Sequence, residues 1–150
     1  MPRYLPFLFL LVAAPLMAAD PPATKDKAEL EKAFAESLTG TIMVGTFSVA
    51  GREGSKPERY EITKTEKQEG DNWIITARIK YGDKDVPFPV PVKVYWADDT
   101  PVISLTNMTI PGLGTFTSRV MFYGDRYAGT WQHDQVGGHM WGTLEKKKTE

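Results

Sequence analysis

The chain of 150 residues carries 18 Lys and Arg against 19 Asp and Glu, and it has no cysteine. A charge so close to balance offers no electrostatic footprint for nucleic acid or an anionic membrane surface. Without cysteine there is no disulfide, no thiol nucleophile and no lipid-anchored cysteine of the bacterial lipoprotein kind, so a hydrophobic core must hold the fold.

Residues 1–19 read as a signal peptide. Arg3 gives a positive start, Leu5 to Met17 form an apolar run broken by Pro6 and Pro15, and Ala18-Ala19 give a small-residue exit before Asp20. The run is shorter than the roughly 20 residues needed to span a bilayer. The expected location is periplasmic or extracellular, with no membrane span after signal removal. Residues 20–40 hold a spacer and a helix. Asp20-Pro21-Pro22 is extended, and Thr24 is placed to cap the helix after it. Leu30, Ala33, Phe34 and Leu38 then recur at helical spacing opposite Lys and Glu, which predicts an amphipathic helix of about four turns ending at Gly40.

Residues 41–150 form the β domain. Tyr60 and Ile62 alternate with Arg59, Glu61 and Thr63, and Trp73, Ile75, Ala77, Ile79 and Tyr81 alternate with Ile74, Thr76, Arg78 and Lys80. Val86, Phe88, Val90, Val92, Val94 and Trp96 continue at period two. Such alternation belongs to antiparallel sheets with one buried face. Turn-forming residues fall at Gly51-Arg52-Glu53-Gly54, Glu69-Gly70-Asp71-Asn72, Gly82-Asp83, Asp98-Asp99, Pro111-Gly112, Gly124-Asp125 and Gly137-Gly138. They divide the domain into eight strands, at 42–50, 58–67, 73–81, 84–97, 101–109, 114–123, 126–134 and 139–147. Short loops make this an up-and-down meander. A barrel is favoured over a sandwich, because closure removes edge strands. Pro87, Pro89 and Pro91 remove three successive N–H groups aimed at one neighbour, which predicts a seam there.

The fold class is therefore mainly β with one N-terminal helix, and the chemistry is less defined. Tyr60, Trp73, Tyr81, Phe88 and Trp96 share the apolar faces, either as ordinary core or as the lining for one small apolar ligand. Residues 131–141 gather Trp131, both histidines (His133 and His139) and Trp141 around Gly137-Gly138. A two-residue Gly-Gly loop puts the imidazoles on opposite faces. A three-residue loop over Val136–Gly138 puts both on the face of Trp131. Two histidines fall short of the four ligands of a structural metal site, so no metal site is assigned. No catalytic constellation and no cofactor motif appears. Asn107-Met108-Thr109 fits a glycosylation acceptor, and Lys146-Lys147-Lys148 reads as a solvated tail.

The stretch Leu38-Thr39-Gly40-Thr41-Ile42-Met43-Val44-Gly45-Thr46-Phe47, just after the helix, resembles the opening of lipocalin-like and avidin-like barrels. The Gly-Thr-apolar cadence returns at Tyr127-Ala128-Gly129-Thr130-Trp131 and at Trp141-Gly142-Thr143-Leu144. Ile42 stands where those families carry a tryptophan at the barrel base. The whole is also similar to small exported bacterial proteins. The resemblance implies a non-catalytic barrel around a small apolar ligand, for which Tyr60, Trp73, Trp96, Trp131, His133, His139 and Trp141 are the candidate lining. Two other uses remain open: a structural or protein-interaction module with a solid core, and a metal- or haem-binding protein or hydrolase using His133 and His139.

Overall fold

A computed structural model describes residues 26–81 and 84–147. The expected signal peptide, the Asp20-Pro21-Pro22 spacer, Thr24 and the Gly82-Asp83 turn lie outside the described residues, as do the side chains of Ile79 and Tyr81. Leu30, Phe34 and Leu38 lie one turn apart, and they form the inner line of helix α1, Lys27–Leu38. Phe34 and Leu38 are buried and Ala35 packs beside them, whereas Ala33, expected on this stripe, is exposed. The Thr39 N–H donates to Ala35 O, and Gly40, at φ 70°, turns the chain out of the helix.

Eight strands come next: β1 Thr41–Ser48, β2 Ser55–Lys67, β3 Asn72–Tyr81, β4 Lys84–Ala97, β5 Thr100–Ile110, β6 Gly114–Tyr123, β7 Arg126–His133 and β8 Val136–Lys146. Each pairs antiparallel with its successor, and β8 returns to β1 through Thr41↔Lys146 to Phe47↔Met140. The sheet is thus a closed up-and-down barrel.

The last hairpin corrects one expectation. His133 pairs with Val136, so the turn is Asp134-Gln135, and Gly137 and Gly138 lie inside β8. Asp134 takes a left-handed conformation at φ 51°, and its carboxylate accepts the Thr115 N–H at 2.9 Å. The glycines answer a different need. A Cβ at Gly138 would collide with the carbonyl of Ser48, so glycine there permits close backbone approach rather than a turn.

Helix α1 plugs one end of the barrel. The Phe34 ring lies 5.4 Å from Trp73, 5.8 Å from Phe122 and 6.2 Å from Trp96. Burying a side chain of this size is worth about 1.5–3 kcal/mol. Met43, Ile62, Ile75, Val92, Val94, Val120 and Met140 complete the core at and above this plug. Lys146 and Lys147, expected in a free tail, tie the helix and barrel together instead. The Lys146 ammonium donates to the carbonyls of Glu36 and Ser37 at the helix C-terminus, and Lys147 pairs with Glu61 at 2.6 Å.

The expected seam is present between β4 and β5. β4 pairs with β3 along Lys84–Lys93, past all three prolines, but with β5 only along Lys93–Ala97. The N–H groups that proline removes are therefore those aimed at β5. A depression of about 540 Å³, lined by Ile74, Pro91, Leu105 and Met108 among others, opens at this place.

Candidate functional site

The barrel has two unlike ends. Near α1 the inward side chains Met43, Trp73, Val94, Phe122 and Tyr127 are buried, although Trp96, Ile103 and Leu144 at this end are only half-buried. Toward the opposite end, where β1–β2, β3–β4, β5–β6 and β7–β8 turn, side chains of the same parity are only half-buried. Phe47, Phe88, Val90, Leu105, Phe116 and Trp131 all belong to this second set. On β1, β3, β6 and β7 the inward side chains thus become more exposed away from α1, whereas on β8 Met140, the partner of Phe47, stays buried.

Between the two zones lies a buried carboxylate. Glu58 shares the inward face of β2 with Tyr60 and Ile62, and it is 8% exposed. Its carboxylate accepts a hydrogen bond from the Tyr127 hydroxyl at 2.8 Å and a longer one from the Tyr60 hydroxyl at 3.3 Å. Register explains the first contact. Tyr127 pairs with Gly142, Gly142 with Gly45, and Gly45 with Glu58. With no side chain on the two middle strands, the phenol crosses to the carboxylate. A Cβ on either glycine would strike the Tyr127 hydroxyl.

Burial pushes the Glu58 carboxyl above its ordinary pKa, against the two phenol hydrogen bonds that favour its ionised form. Burial and the neighbouring carboxylate hold the Tyr127 phenol well above its usual range. The same two causes, burial first, push Tyr60 up to about 12. Yet Tyr60 is 42% exposed. A phenol can be both desolvated and wetted when it lines a concave wall.

The aromatic residues expected in the lining divide. Trp73 is fully buried and Trp96 half-buried, both packed around the Phe34 plug. Tyr60 and Trp131 line the open half. The Trp131 indole is fixed by its N–H donating to Ser48 O at 3.1 Å and by an edge-on contact with Phe47 at 5.6 Å. The histidines are not brought together. His133 faces inward, stacks on Phe116 at 4.4 Å and donates its ring N–H to Leu113 O at 2.6 Å. His139 pairs with Thr130 and faces outward with Trp141, which is 44% exposed. Among the described residues no three His, Asp or Glu side chains cluster as metal ligands.

Sequence reasoning missed Glu58 and Tyr127. The available signal for Glu58 was its position two before Tyr60 on the same face. For Tyr127 it was the pair of glycines inside strands β1 and β8. Fold and site together define a class: an eight-stranded antiparallel barrel, helix-plugged at one end, with aromatic side chains and one carboxylate lining the other. No family model matches the chain, and no curated protein or solved structure matches it.

Proposed function

We propose that the chain is an exported, non-catalytic barrel that holds a small, largely apolar molecule in its open half, as the lipocalin-like barrels it resembles would suggest. One observation carries this reading. Phe47, Phe88, Val90 and Trp131 point into the barrel yet stay half-buried, while Met43, Val94 and Tyr127, nearer α1 on the same strands, are buried. Apolar side chains lining a concavity gain free energy when a ligand displaces the water on them. Trp131 is the reporter. Titration with neutral alkyl and aromatic probes should change its fluorescence, and Trp131→Phe should abolish most of the change while Trp141→Phe leaves it. A panel in which no probe binds, by fluorescence or native mass spectrometry, would end the proposal.

A second reading, a protein-interaction module, has its own support. Tyr95, Val102, Met121, Ala128 and Trp141 are register neighbours on the outer wall from β4 to β8. Tyr95, Met121 and Trp141 in this row are large and exposed. A continuous outer apolar row is a common mark of a contact surface. Sedimentation of the chain alone and of Met121→Glu would show whether the row mediates self-association.

A further inference from the structure

Glu58 is an uncommon group for the wall of an apolar cup. Among the described residues no Lys, Arg or His forms an ion pair with it. Its neighbours Tyr60 and Tyr127 donate hydrogen bonds but bring no charge. An ionised carboxylate has about four acceptor positions, so two phenols leave about two unused. A carboxylate withdrawn from water is stabilised far more by a cation than by neutral donors.

The surroundings favour a particular cation. Tyr60, 42% exposed, hydrogen-bonds the carboxylate through its hydroxyl, and aromatic faces attract ammonium groups. Phe47 stands two residues nearer the mouth on β1 than Gly45, the partner of Glu58, and is in edge contact with Trp131. At about 3.3 Å per residue, this apolar pair begins roughly 7 Å above the carboxylate. A bare metal ion would have no use for it.

We propose that the open half binds an organic cation: an alkyl- or arylamine whose ammonium pairs with Glu58 between Tyr60 and Tyr127, and whose apolar body lies along Phe47 and Trp131. This rests on the ligand-holding reading above and names the ligand class. A bound ammonium would favour the ionised form of Glu58 and so oppose the upward push that burial gives its carboxyl.

The test uses three probes with one chain length, decylamine, decanol and decanoate, titrated against the full chain at neutral pH. Decylamine should bind about tenfold or more tighter than decanol, and decanoate should bind weakest. Glu58→Gln, which keeps an acceptor for Tyr127, should lower decylamine affinity to that of decanol and leave decanol unchanged. Near-UV circular dichroism confirms that the variant is folded. Should it fail to fold, the wild-type ranking still decides. Equal binding of decylamine and decanol overturns the cation proposal while leaving the ligand-holding reading intact. Binding of none of the three removes both.

Discussion

Tyr127 and Glu58 stand three strand steps apart, on β7 and β2, yet one hydroxyl donates to the other's carboxylate at 2.8 Å. The contact exists because Gly142 and Gly45 occupy the two intervening positions of that row. The four residues thus act as one unit, and its coupling is measurable. Gly45→Ala would push a methyl group into the Tyr127 hydroxyl and nearby backbone, at a cost of about 1–3 kcal/mol in urea denaturation. Tyr127→Phe alone leaves Glu58 short of a donor, at about 1–3 kcal/mol. Because the second change removes one of the atoms the first collides with, the double variant should lose less than the sum of the two. Strict additivity would place the hydroxyl away from Gly45.

The same unit sets a pH dependence. The raised Glu58 pKa means the folded chain keeps a proton that the unfolded chain has released, so stability falls as pH rises from the ordinary carboxylate value through the folded one. Glu58→Gln has no such slope. Relative to wild type, it should become more favourable in thermal melts as pH rises above the ordinary carboxylate value of 4.5. A second loss belongs to the phenols. Tyr60 is raised to about 12 and Tyr127 is also raised, so their contribution is whole below the ordinary value of 10.0 and disappears above it. Tyr60→Phe should therefore soften alkaline unfolding. An unchanged alkaline midpoint would mean that Tyr60 titrates as an open phenol.

Much of the barrel was legible because period-two alternation is a local signal. Trp73 to Ala77 and Val92 to Trp96 could be assigned to faces without knowing their partners. The three prolines of β4 announced the seam for the same reason, since a missing N–H is a property of the residue itself. The histidine hairpin was not legible. Gly137-Gly138 satisfies the rules for a turn, but whether a glycine serves a turn or a close approach depends on what lies across the sheet. Ser48 on β1 decides it, some ninety residues earlier in the chain. Glu58 was obscured similarly: a carboxylate on an apolar face is legible as an oddity, but its acceptance of a bond from Tyr127 needs the closed register.

The helix plug gives a prediction about stability. Phe34, the one aromatic residue of α1, touches Trp73, Trp96 and Phe122 at once. Phe34→Ala should cost about 3–5 kcal/mol, whereas Ala33→Ser on the exposed side should stay within about 0.5 kcal/mol. The two tryptophans make the loss visible as a red shift of emission before global unfolding. A small effect of Phe34→Ala would indicate that the strands close that end unaided.

The separated histidines should behave as unrelated residues. His133 is stacked on Phe116 and hydrogen-bonded to Leu113 O, so His133→Ala should destabilise by about 1–2 kcal/mol. His139 lies on the outer wall, where replacement by alanine should change stability by less than about 0.5 kcal/mol. A large loss on both replacements, or a joint effect on zinc affinity, would contradict the register that puts them on opposite faces.

The β4–β5 seam should be the weakest part of the wall. Along Lys93–Ala97 the two strands share a ladder, but beyond Ser104 the β4-facing side of β5 meets a strand whose prolines cannot donate. Amides protected by a ladder exchange through rare openings, and those on an unpaired edge exchange directly with solvent. Hydrogen exchange should therefore split β5 along its length, slow for the backbone amides around Val102–Ser104 and fast for β4-facing amides around Thr106–Ile110. Replacing Pro89 with threonine restores one N–H aimed at that edge and a residue suited to strands. If lack of donors alone keeps the seam open, exchange near Thr106 should slow in this variant. If the bulge between Leu105 and Met108, with Asn107 at φ 49°, already turns β5 away, it should not change. The outcome would show which strand, β4 or β5, is responsible for the gap.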